Sequence, residues 1–493
     1  MNAPASSSLT VRLVRAFGGR DGTAAEPSPP FEWDPGRSRS GRRLGPAVRA
    51  LAGRFRGVAS AADAAGAALS RRPALLLAAA VLAVPLLRIL LPPVPAAALS
   101  LVLAAAAGCG VLLAAARALH AEGDRRLVAA ALLAGLLLRA ALAAAMDVRG
   151  AFPDEEVYHR LAADSAGCWG SGGPSLLAES PMVRGRAAYF YLLSADYLLA
   201  GPFMAAGRVM GGLLGLLAAL LAGEVARPLA GPRTAALAVA LLALHPEHAF
   251  WSVTLSRDVL STVLVLATLA ALLKRPGALL RGNLLAVAAP LGVLCLNSIP
   301  AACCLGATVA ACLLAEAAAG AREGLRGAAL AAAAVAAAGS ALFLVGWRYG
   351  SFLTPSFITG TRILASRTEP GILLDLRFTS PLDLVSNLPA GLAFAILSPW
   401  PWAAGATHRS AYGVLSVAGL AVTLLGIAGL LASARRRPAA AAPLLLFAGL
   451  MLVLLALFEG NAGILVRHRL PLTAVLACGA AALLAGLRPR GSP

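Results

Sequence analysis

Along most of the chain, apolar residues come in unbroken runs of Ala, Leu and Val, as at 73–87 and 325–346, rather than in alternation. About 20 such residues, rising 1.5 Å each as a helix, cross the hydrocarbon core of a bilayer. Lipid offers the backbone no hydrogen-bond partners, so only helices and closed barrels span it. The runs lack the alternation of barrel strands. The pattern therefore predicts an all-α polytopic membrane protein with about 12 transmembrane helices and with interfacial helices in long outer loops.

The predicted spans cover about 73–91, 95–116, 127–146, 203–225, 234–251, 258–273, 282–297, 300–318, 327–346, 411–433, 440–458 and 470–487. Two further apolar stretches read as lying along the membrane. Residues 189–202 contain Asp196 and stop at Gly201-Pro202, and residues 387–402 are broken by prolines. Residues 1–72 hold 12 Arg against 5 acids with no apolar stretch, which predicts a disordered basic cytoplasmic tail. On this topology both termini are cytoplasmic. Beyond the tail, inner segments carry 15 basic and 5 acidic residues and outer ones 12 and 13, as the positive-inside rule prefers. Residues 73–126 then form two additional spans ahead of a main transmembrane domain at 127–493. Its two long outer loops, 147–202 and 347–410, are the expected seat of chemistry.

Composition supports this reading. The chain is 59% apolar and 13% charged, against about 25% charged in soluble domains. A net charge of +19 invites a nucleic-acid reading, but no soluble segment is large enough to present a basic face, and positive-inside loops account for the excess. Six of the seven cysteines sit in apolar runs as small packing residues; Cys168 falls in an outer loop.

Three constellations carry candidate chemistry. Pro153-Asp154-Glu155-Glu156-Val157-Tyr158 follows the third span and sets three carboxylates in a row at the membrane surface. They are tolerated there if solvated, or if a bound partner takes a proton. His245-Pro246-Glu247-His248 leads through Trp251 to Asp258, which opens a helix as a cap or a functional acid. His245 and His248 could pair on a metal, but no third ligand is evident. Glu459-Gly460-Asn461 leads to Arg467-His468-Arg469-Leu470-Pro471 before the last span, two guanidiniums that could clamp a phosphate at headgroup depth or snorkel to lipid.

In their order and common side, these features resemble the GT-C superfamily of membrane glycosyltransferases, closest to the family 39 branch of protein O-mannosyltransferases and aminoarabinose transferases. The likeness runs from about Asp147 onward and rests on Pro153, Asp154, Glu155 and Tyr158, on the stretch from Pro246 to Asp258, and on Arg467, Arg469 and Pro471. Residues 1–126 depart from that pattern. The resemblance implies an inverting transfer of a sugar from a polyprenyl-phosphate donor to a lipid, glycan or protein acceptor on the outer face of the plasma membrane. It implies Asp154 as base with Glu155 assisting, and Asp258 as a second carboxylate or as a ligand if a divalent cation such as Mg or Mn takes part. Tyr158, Arg208, Arg467, His468 and Arg469 would bind substrate. A polysaccharide polymerase or ligase would share these features. A transporter should instead show repeats and midplane ionisable groups; Arg88 and Arg139 are expected in additional or peripheral spans.

Overall fold

The computed structural model describes residues 125–146, 153–171, 183, 186–274, 284–320, 354–366, 378–398 and 409–487. The expected tail, the spans at 73–91, 95–116 and 327–346, and Arg88 lie outside them. Among the described residues every element is a helix and none is a strand.

In chain order these are α1 (Arg125–Ala145), α2 (Pro153–Gly170), α3 (Ala187–Ala200), α4 (Met204–Ala230) and α5 (Pro232–Leu244). Next come α6 (Pro246–Ser252), α7 (Arg257–Lys274), α8 (Leu284–Cys295), α9 (Ile299–Gly320) and α10 (Pro355–Ser366). The last are α11 (Pro381–Leu397), α12 (Arg409–Arg436), α13 (Pro438–Phe458), α14 (Ala462–His468) and α15 (Leu470–Gly486). Among the described residues, five helices, α1, α4, α9, α12 and α13, are long and apolar enough to cross a membrane. Counting each of two bent pairs, α6 with α7 at 117° and α14 with α15 at 58°, as one span gives up to seven. The protein is a multi-pass helical membrane protein.

The structure divides one expected span. Residues 234–251 do not form one helix, because Pro246 forces the residue before it out of the helical region: His245 is extended (φ −61°, ψ 117°). α5 ends there after 13 residues, and α6 is a separate seven-residue helix. Of the segment expected at 282–297, the described residues form the 12-residue α8, with Pro290 inside it. α3, at 14 residues, extends about 21 Å, short of the roughly 30 Å core.

α15 is the central helix, with every residue from Leu470 to Ala482 buried. Against it lies α12, and a Cβ at Gly426, Gly429 or Gly479 would overlap the facing backbone. Small residues let two backbones approach where lipid supplies no hydrophobic drive between helices.

Arg139, on the largely exposed helix α1, turns inward. It is 2% exposed on α1. Its Nε donates to Ser252 Oγ (2.9 Å), Nη1 to the Gly135 and Ala243 carbonyls (3.0 and 2.7 Å), and Nη2 contacts His248 Nδ1 (3.1 Å). The guanidinium thus collects the carbonyl left at the end of α5 and the side chains of α6, stapling the break at His245. A Cβ at Gly215 would press on both Ser252 and Arg139, so α4 leaves room for the staple.

Candidate functional site

The acidic triplet opens α2 in a way the sequence explains. Pro153 stands at the first helical position, and Asp154, Glu155 and Glu156 fill the first turn, where the helix dipole favours negative charge. The three then part company. Glu156 pairs at the surface with Arg160 one turn on (3.0 Å). Glu155 is buried; it accepts from the Leu255 amide (2.8 Å) and faces Arg208 Nη2 at 3.5 Å. The Leu255 bond fastens the connector between α6 and α7 to the start of α2, and the ion pair, 2% and 4% exposed, ties α4 to the same carboxylate. Asp154 keeps its side chain 47% exposed and meets Arg467 Nη1 at 2.9 Å.

Asp258 reaches the same guanidinium. Ser256 begins α7 by accepting from the Asp258 amide (3.2 Å), and its hydroxyl donates to Asp258 Oδ2 (2.5 Å). The carboxylate so held lies 3.3 Å from Arg467 Nε. Arg467 therefore bridges two carboxylates from distant parts of the chain, with its guanidinium 5.9 Å from the Trp251 ring centroid. Its carrier, α14, is started by Asn461, whose side chain accepts from the Gly463 and Ile464 amides.

Tyr158, one turn after Asp154, is buried edge-on to Tyr189 (5.4 Å) and stacked on Phe190 (4.9 Å). Burial pushes its phenol up, and Asp258 adds to this while Arg186, Arg257 and Arg467 pull it back. The hydroxyl is thus a neutral group within reach of three guanidiniums and the Asp258 carboxylate.

Arg467-His468-Arg469 fans out instead of closing as one clamp. His468 Nδ1 meets Glu459 Oε1 at 2.6 Å. Arg469 turns into the core, where Nε and Nη2 meet the Glu247 oxygens at 3.2 and 3.1 Å and Nη1 donates to the Ser398 carbonyl. Of the arginines singled out in the sequence, the structure brings only Arg467 to Asp154 and Asp258; Arg208 and Arg469 each hold a buried glutamate of their own.

Sequence reading missed Arg186 and Arg257, both close enough to act on Tyr158, and Ser256. Ser-Arg-Asp at the head of an apolar run was a legible capping signal for Ser256. Nothing in the order of residues pointed to Arg186, which precedes a segment read only as interfacial.

Among the described residues, no three of His, Cys, Asp and Glu gather as metal ligands. His245 Nδ1 accepts from the His248 amide (3.3 Å) and His248 Nδ1 meets Arg139 Nη2 (3.1 Å), so each imidazole already has one nitrogen engaged. Asp154 and Asp258 share Arg467. No family model, curated protein or solved structure matches the chain.

Proposed function

We propose that this chain is an inverting glycosyltransferase that moves a sugar from a polyprenyl-phosphate donor to a lipid, glycan or protein acceptor on the outer face of the plasma membrane. The observation that carries the reading is the Asp154–Arg467–Asp258 bridge, a half-exposed carboxylate beside a guanidinium that an adjacent buried acid orients. The motif resemblance supplies the reaction type, and the topology of basic loops supplies the side of the membrane.

In the proposed step, an acceptor hydroxyl oxygen bonds to the anomeric carbon as the bond from that carbon to the donor's phosphate oxygen breaks. The hydroxyl proton passes to Asp154, which can offer an oxygen while Arg467 holds the other (2.9 Å). The phosphate departs with added negative charge, and Arg467, Arg186 and Arg257 are the cations placed to meet it. Asp258, tied by Ser256, keeps Arg467 from leaving with the product. Glu155 acts through the backbone: by holding Leu255 it fixes where α7, and so Asp258, begins. Arg208 and Arg469 support the scaffold.

The test is sugar transfer by purified protein from a panel of polyprenyl-phosphate sugars. Asp154→Asn is expected to lower transfer by roughly 10²–10⁴-fold, the usual contribution of a positioned base, with expression and insertion unchanged. Full activity of that variant would overturn the assignment.

A further inference from the structure

Asn297 sits in the turn between α8 and α9 and belongs to no motif of the sequence. It is fully buried, and both its amide donors and its carbonyl oxygen are engaged. Nδ2 donates to the Arg257 carbonyl (3.0 Å) and to Ser261 Oγ (2.9 Å). Oδ1 accepts from the Tyr189 amide (3.1 Å), and the Asn297 main-chain carbonyl accepts from Arg257 Nη1 (3.1 Å). Two donors and one acceptor so placed fix which way the amide faces.

The bond to Tyr189 answers a local anomaly. α3 starts after Arg186, whose side chain offers no cap. A cation there also opposes the positive end of the helix dipole, and arginine has no acceptor to give. The turn of α8–α9 supplies what Arg186 cannot. The Leu296 carbonyl accepts from the Ala188 amide (3.3 Å), and Asn297 accepts from Tyr189, the next amide along. Arg186 is thereby relieved of capping, and its guanidinium lies within electrostatic reach of Tyr158 and Arg257. A residue that breaks the local rule while another segment compensates marks a position held for a purpose other than the helix.

We infer that Asn297 is a positioning residue that seats Arg186 and Arg257 together at the edge of the site where an anionic group binds. It caps α3 for the first and pins the start of α7 for the second. Through Tyr189 it also sets the edge against which Tyr158 packs. The inference rests on the proposed function only for the identity of the anion, the phosphate of a polyprenyl phosphate.

Full-length protein in lipid nanodiscs would be treated with phenylglyoxal, and modification of Arg257 and Arg186 followed by peptide mass spectrometry. Asn297→Ala is expected to raise modification of Arg257 about tenfold, the equivalent of roughly one lost hydrogen bond. In parallel, undecaprenyl phosphate binding is expected to weaken by about tenfold on the same scale. The same substitution added to an Arg186→Ala, Arg257→Ala background should change affinity less than about twofold, since Asn297 acts through those residues.

Unchanged arginine modification, or a full and additive loss of affinity in that background, would overturn the inference. Should Asn297→Ala not fold, Asn297→Asp keeps the acceptor for Tyr189 and loses the donors. It should raise modification of Arg257 and leave Arg186 as it was, and unchanged Arg257 overturns the inference equally. A wild-type protein that binds no undecaprenyl phosphate would fail the donor reading alone, and arginine modification then decides the role of Asn297.

Discussion

Arg467 and Arg469 stand two positions apart and end in opposite surroundings. Arg469 enters the core and grips Glu247 with two nitrogens, 4% and 0% exposed, with a third bond to a carbonyl. Arg467 meets one carboxylate that is half in solvent and another set at its flank. The core pair is saturated: each charge is out of water and each is answered. The site pair leaves Asp154 with room for another partner. Saturated buried pairs hold architecture at the helix breaks, as the Arg139 staple also does, whereas an incompletely enclosed pair can exchange partners with a ligand. The difference separates scaffold from chemistry within one tripeptide.

The sharpest way to break this contrast is Glu247→Gln. It leaves the Arg469 guanidinium buried with no opposing charge, and breaking such a pair costs about 3–5 kcal/mol. Thermal unfolding in nanodiscs should show the loss, and stability within about 1 kcal/mol of wild type would mean that the pair is not structural.

Asp196 sharpens the contrast from the other side, as a half-buried acid that no cation answers among the described residues. Its Oδ2 is buried without a hydrogen bond, and desolvation raises its carboxyl to about 7. The folded protein thus keeps a proton there that the unfolded chain gives up near pH 4. Its contribution is full below pH 4, is lost progressively as pH rises to about 7, and is level above that. The swing is a few kcal/mol at most, since one pKa unit is about 1.4 kcal/mol and the group is partly exposed. Asp196→Asn should flatten the stability profile between pH 4 and 7; an unchanged slope would show that Asp196 is not its source.

Arg467→Lys has the smallest expected effect on stability, about 1 kcal/mol, since lysine keeps a cation facing the half-exposed Asp154 and the buried Asp258. Its effect should appear in transfer, roughly tenfold to a hundredfold, because a lysine cannot span two carboxylates as a fork does. A large loss of stability without loss of transfer would place Arg467 with the scaffold.

Much of this was legible in the order of residues, and for a clear reason. A membrane helix is set by its own run of apolar residues, so α1, α4, α9, α12 and α13 appear near their expected positions. The acidic start of α2 and the capped start of α7 are equally local. Pro246 was legible too, yet the run around it looked like one span, and only the break revealed α6 as a separate element.

What the sequence by itself determined is therefore the class of protein, most helix positions and the set of polar residues available for a site. Only the tertiary structure decided how those residues pair. Asp154 and Arg467 are 313 positions apart, and Glu247 and Arg469 are 222 apart. No periodicity reaches that far; which arginine meets which acid is fixed by how helices pack. The same holds for Arg139, whose four partners come from three segments, and for Asn297, whose bonds to α3 and α7 exist only once the turn between α8 and α9 lies against them.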